Sequence, residues 1–99
     1  MQTRKTIHDI VRLLADHKPH FFSTYPLQSM AVFGSYARQE EHAASDLDIV
    51  VEFKDNIGIR FVDLADELER VLGMKIDLVS RKGIQERYFH ALQKDLIYV

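Results

Sequence analysis

Between Asp46 and Val79, two short strand patterns bracket one amphipathic helix, an order that few folds satisfy. In Asp46 to Phe53, the residues Leu47, Ile49, Val51 and Phe53 fall on one face with the period of two of a strand. Phe61, Leu64, Ala65, Leu68, Val71 and Leu72 then recur at helical spacing, and Gly73 stands where a C-terminal cap glycine is found. Met74 to Val79 reads as the next strand. A helix joining two strands predicts a mixed β-sheet with helices packed on one face, an α/β (α+β) architecture.

The flanking segments complete that layout. Ile7, Ile10, Val11 and Leu14 share a helical stripe over about Thr6 to Asp16. Pro19 suits the first turn of a second short helix carrying Phe21, Phe22 and Tyr25, and Pro26 ends it. Met30 to Phe33 is a short apolar run into Gly34, the mark of a strand feeding a tight turn. Ile84 to Leu96 predicts a final helix, and Ile97 to Val99 a β-like tail. The expected order is α, α, β, β, α, β, α. No repeat or linker interrupts it, so residues 1–99 are expected to form a single domain.

Composition narrows the function classes. A net charge of −2 argues against direct nucleic-acid binding through a basic surface. Without cysteine there are no disulfides and no thiolate metal sites. No apolar run approaches the ~20 residues that span a bilayer. The polar N-terminus is unlike a signal peptide, so no membrane association is expected and the cytoplasm is the expected compartment.

The chemistry centres on Asp46 and Asp48. Two apart on a strand, they leave the same face with their bases on the order of 7 Å apart. Two like charges side by side on a strand are unfavourable, and a divalent cation reverses that penalty. Carboxylate oxygens suit Mg²⁺, which takes one or two carboxylates together with substrate phosphates. Asp77 interrupts the apolar Ile76-Leu78-Val79 run, where a lone aspartate is expensive to bury unless paired or coordinated. If that strand neighbours the Asp46–Phe53 strand, three carboxylates converge as a two-metal site requires, with Asp77 placed to take a proton from an acceptor hydroxyl. Gly34 and Ser35 supply the other half. Glycine admits a phosphate close to the backbone, and the serine hydroxyl and adjacent N–H groups donate to it. Arg38, one turn on, is suited to pair with a phosphate or a nearby acid.

Phe33-Gly34-Ser35-Tyr36-Ala37-Arg38, followed by Ser45-Asp46-Leu47-Asp48-Ile49-Val50-Val51, resembles the signature of the DNA polymerase β-like nucleotidyltransferases. Within them the chain is most similar to the minimal nucleotidyltransferases of prokaryotes, and Lys75-Ile76-Asp77-Leu78-Val79 resembles the strand bearing their third carboxylate. The resemblance implies a small palm fold in which Gly34 and Ser35 hold the triphosphate of ATP. Asp46, Asp48 and Asp77 would then handle two Mg²⁺ ions. It also implies a HEPN-domain protein as partner in a hetero-oligomer, silenced by transfer of AMP to a tyrosine, with this chain as antitoxin. One departure stands out. The family usually has glycine after the arginine, and Gln39 takes a left-handed backbone less cheaply, which puts the turn after Arg38 in question.

Other features read as structural. His8, His17, His20, His42 and His90 are assigned to surface or interface, since imidazole suits Mg²⁺ poorly. Asp66 and Arg70 form a helix-surface pair, Glu52 lies peripheral on the carboxylate face, and Arg81-Lys82 reads as a solvated turn with phosphate contact as its alternative. Phe21, Phe22, Tyr25, Tyr88, Phe89 and Tyr98 are many aromatics for a small core, which suggests a partner surface near the chain ends. Two further function classes remain: a non-catalytic antitoxin that neutralises a helical partner by binding alone, and a transferase for a small molecule. The second has little room here for an acceptor-binding domain.

Overall fold

The structure, a computed structural model, describes residues 5–99. Helix α1 (Ile7–Thr24) leads into strand β1 (Leu27–Phe33), a short helix α2 (Gly34–Ala37) and strand β2 (Leu47–Phe53). Helix α3 (Arg60–Leu72), strand β3 (Ile76–Ser80), helix α4 (Glu86–Leu92) and strand β4 (Ile97–Tyr98) follow. The sheet order is β3-β2-β1-β4. The α3 crossover makes β2 and β3 parallel, whereas β1 runs antiparallel to both β2 and β4. This is the mixed α+β sheet expected of the sequence. Leu47, Ile49 and Val51 of β2 are fully buried with Ile10, Leu14, Leu64, Leu68 and Leu72, so α1 and α3 cover one face.

Helix α1 departs from the expected pair of helices. Thr6 caps its start: the Thr6 hydroxyl accepts from the Asp9 N–H at 3.2 Å, and the Asp9 carboxylate accepts from the Thr6 N–H at 3.1 Å. Pro19 lies inside the helix rather than opening a new one. An interior proline costs about 3 kcal/mol. Continuing the helix carries Phe21 and then Tyr25 into the core on the stripe of Ile10 and Leu14, and each such burial contributes about 1.5–3 kcal/mol. The apolar stripe therefore outweighs the proline. The helix stops where Pro26 forces Tyr25 into extended backbone (φ −119°, ψ 150°). Tyr25 Oη donates to Glu67 Oε2 at 2.7 Å, and burial with this carboxylate pushes its pKa up to about 12. That bond fastens the end of α1 to α3.

The C-terminal segment also differs. The expected Ile84-to-Leu96 helix is only Glu86–Leu92, flanked by 3₁₀ turns at Arg81–Gly83 and Gln93–Asp95. Ile84 and Gln85 are extended, and α4 has no buried residue, so no continuous apolar stripe sustains a longer helix. The tail instead returns to the sheet, where Ile97 pairs with Val32 and the Val99 N–H donates to Met30 O at 3.0 Å. Phe89 of α4 lies beside Ser29, Val50 and Tyr98 on the opposite face, the one that carries Asp48. Among the described residues no helix is long and apolar enough to cross a membrane.

The turn after Arg38 keeps the geometry that a glycine would favour. Gln39 adopts φ 57°, the one non-glycine residue of the described chain with positive φ. Its N–H donates to Tyr36 O at 3.1 Å and the Glu40 N–H to Ser35 O at 2.8 Å, the two bonds of a Schellman cap closing α2. A side chain in this conformation costs about 1–2 kcal/mol, partly returned by glycine's greater freedom when unfolded. Gln39→Gly is therefore expected to raise stability by about 1 kcal/mol, read as a higher denaturant midpoint at unchanged slope. A lower midpoint would show that the Gln39 side chain contributes more than the backbone strain removes.

Candidate active site

Buried Leu47 and Ile49 anchor β2 in the core, which turns Asp48 between them to the opposite face. Asp46 immediately precedes the strand and is exposed. The parallel register sets Asp48 directly beside Asp77, and the antiparallel register sets it beside Phe33, the residue before Gly34. Two separate segments thus meet at one residue.

Asp48 is only partly exposed, and its pKa is pushed up to about 6. Desolvation is the chief cause, followed by the charges of Asp77 and Asp46 and a hydrogen bond with Asp77; the Arg38 charge opposes them. Among the described residues no three acidic or imidazole side chains close around one point. The arrangement is an Asp48–Asp77 pair with Asp46 adding its charge.

Gly34 is built against this pair. A Cβ placed on it would stand 2.1 Å from Asp48 Oδ2 and 3.3 Å from Asp48 Cβ, and its φ of +75° is one that side chains rarely adopt. Ser35 follows in the first turn of α2. Arg38 caps that helix, with Nε on Glu40 Oε1 at 3.0 Å and an Nη1 to Asp95 Oδ2 distance of 3.7 Å. The structure thus brings Gly34 and Asp48 into contact, sets Asp77 alongside, and leaves Arg38 between two acids with its charge felt at Asp48. Sequence reasoning missed Asp95: a lone acid in a C-terminal turn carries no local sign that the tail folds back onto α2.

The donor set is hard oxygen throughout, carboxylates with a serine hydroxyl nearby, which fits Mg²⁺ and not a thiolate- or imidazole-loving metal. Crowded carboxylates also leave a signature in the metal-free protein. The folded state holds the Asp48 proton up to about pH 6, whereas an unperturbed aspartate releases it near 3.8. Between those values the folded state binds more protons than the unfolded one, so this contribution is complete below about pH 4 and is lost as pH rises through 6. Partial exposure screens it to about 1 kcal/mol. In chelator, the stability difference between Asp48→Asn and the parent is expected to be about 1 kcal/mol larger at pH 7 than at pH 4; a pH-independent difference would show that Asp48 titrates normally.

The model of the family described as "Polymerase beta, Nucleotidyltransferase" matches residues 17–98. A Methanocaldococcus jannaschii protein, provisionally named a protein adenylyltransferase, is 41% identical over 99 residues, covering 96% of this chain and 99% of its own. A solved structure provisionally described as a minimal nucleotidyltransferase superposes with a TM-score of 0.74 at 26% identity, covering 97% of this chain and 98% of that one. A Shewanella oneidensis complex, a tri-AMPylated HEPN toxin with its MNT antitoxin, matches with a TM-score of 0.57 at 26% identity, covering 93% of this chain and 66% of that one. With its sheet order and its Gly34–Asp48–Asp77 arrangement, the chain belongs to the polymerase β-like nucleotidyltransferases, among their minimal members.

Proposed function

We propose that this chain transfers AMP from ATP to a tyrosine hydroxyl of a HEPN-domain partner and so acts as its antitoxin. The observation that carries the reading is the contact of Gly34 with the Asp48 carboxylate, with Asp77 alongside. A triphosphate gripped by the Gly34-Ser35 turn lies against the carboxylate pair.

In this mechanism the Ser35 hydroxyl and the N–H groups of the turn bind the phosphates, and the bare Cα of Gly34 lets that turn lie against the Asp48 carboxylate. Arg38 exchanges an acid partner for a phosphate oxygen. Asp46, Asp48 and Asp77 would hold two Mg²⁺ ions, which would supply charge neutralisation for the attacking and leaving oxygens. Asp77 takes the acceptor proton at its carboxylate. A bond forms between the phenolic oxygen and the α-phosphorus, and the bond to pyrophosphate breaks.

The HEPN partner and the hetero-oligomer are supported by the Shewanella complex, and protein as acceptor by the name of the Methanocaldococcus relative. Three AMP units on that HEPN toxin also support repeated addition; on a single tyrosine the second AMP would join a ribose hydroxyl of the first. Incubation with α-labelled ATP, Mg²⁺ and a cognate HEPN-domain protein is expected to place label on the partner in parallel with loss of its toxicity. Loss of toxicity without label would favour the binding-only antitoxin; neither effect would discard both.

A further inference from the structure

The same sheet carries a second concavity that the transfer chemistry leaves unused. A cleft of about 320 Å³ opens at the carboxyl ends of the parallel pair β2 and β3, between the loop after Phe53 and the turn after Ser80. That volume falls in the range of ligand pockets, and carboxyl ends of adjacent parallel strands are a usual place for one. Lys54, Arg81 and Lys82 line it together with the polar groups of Asn56 and Ser80.

The acids in its wall have local engagements. An Asp55 carboxylate oxygen accepts from the Asn56 N–H at 2.8 Å, and a Glu52 oxygen accepts from the Ser29 hydroxyl at 3.5 Å. Lys54 and Lys82 have no acid partner among the described residues. Arg81 is held in place: its guanidinium lies 3.7 Å from the Phe89 ring centroid, and one nitrogen donates to Glu86 at 2.7 Å. Three cations, one of them pre-oriented with further N–H donors to spare, suit a phosphate-bearing ligand.

Position selects which phosphate. Glu52, in the cleft wall, is four residues along β2 from Asp48 on the same face, about 13 Å away at strand rise. We infer that the cleft is an acceptor subsite that holds the phosphodiester backbone of AMP already transferred, while the newest ribose hydroxyl stays at the carboxylates. This rests on the repeated-addition reading above. That distance spans about two nucleotides, so the cleft gives the third transfer a grip on the acceptor that the earlier ones lack.

Two measurements test it. Titrating the chain with the single-stranded trinucleotide ApApA is expected to shift the backbone NMR signals of Lys54, Asn56, Arg81 and Lys82, and Lys54→Glu/Lys82→Glu to abolish the shifts. Absence of shifts in the parent, or the same shifts with an oligoglutamate peptide and not with ApApA, overturns the assignment even if the chain transfers nothing. In the second measurement, intact mass of the labelled partner is expected to show the ratio of tri- to di-adenylylated product falling about tenfold in the double variant and recovering in Lys54→Arg/Lys82→Arg. An unchanged ratio, or a parent that never adds a third AMP, overturns it while leaving AMP transfer itself standing.

Discussion

Asp48→Asn will abolish AMP transfer and at the same time make the metal-free protein more stable. The rate is expected to fall at least about 10³-fold, since the proposed mechanism assigns about 4 kcal/mol of transition-state stabilisation to charge at this position. Asparagine preserves shape but binds Mg²⁺ poorly and removes one of the charges crowded with Asp77 and Asp46. At pH 7 the parent must hold an ionised, partly desolvated carboxylate against two neighbours, so relieving it is expected to add about 1 kcal/mol and raise Tm by roughly 4–8 °C in chelator. Opposite signs make the test strict. A residue kept for folding loses stability when replaced, whereas a residue kept for chemistry gains it. A parental rate in the variant would remove Asp48 from the reaction, and a large loss of stability would assign it a structural role.

The legible and illegible parts of this chain divide along a physical line. Strand β2 and helix α3 were readable because one buried face imposes a period on the sequence, and Gly73 ends α3 in the left-handed conformation its position predicts. The break at Pro19 was misread because a local rule was applied where Phe21 and Tyr25, bound for the core, decide the outcome. The long final helix was misread for the converse reason: Ile84 to Leu96 has apolar residues but no buried face, and its last residues do better by joining β1. The candidate site was legible as a set of residue types, Gly-Ser and three aspartates. What sequence could not supply was register. Asp48 beside Asp77 depends on α3 returning the chain parallel and in step, and Arg38 near Asp95 depends on where the C-terminal tail lands.

Gly34→Ala tests whether turn and carboxylates act as one unit, and a large loss of both stability and activity is expected. Two separate penalties apply. Alanine at φ +75° carries strain of about 1–3 kcal/mol, independent of anything nearby. The new methyl would also stand 2.1 Å from Asp48 Oδ2, so the carboxylate must move off Asp77 or the turn must lift from β2. Together they are expected to lower stability by about 2–4 kcal/mol, or Tm by at least roughly 8 °C, and transfer by more than about 10²-fold, because a displacement on the order of 1 Å at a reacting centre is enough for that. A double-mutant cycle separates the two. In an Asp48→Ala background the offending oxygen is gone and only the Asp48 Cβ, 3.3 Å away, remains, so Gly34→Ala should cost about 1 kcal/mol less there than in the parent. The residual cost is the backbone strain together with the close approach to the remaining Cβ. Strict additivity would mean that Gly34 is required only for its φ. The coupling expected here means that glycine follows Phe33 because an aspartate stands beside it, so that the Gly34-Ser35 turn and the carboxylate strand constrain each other directly.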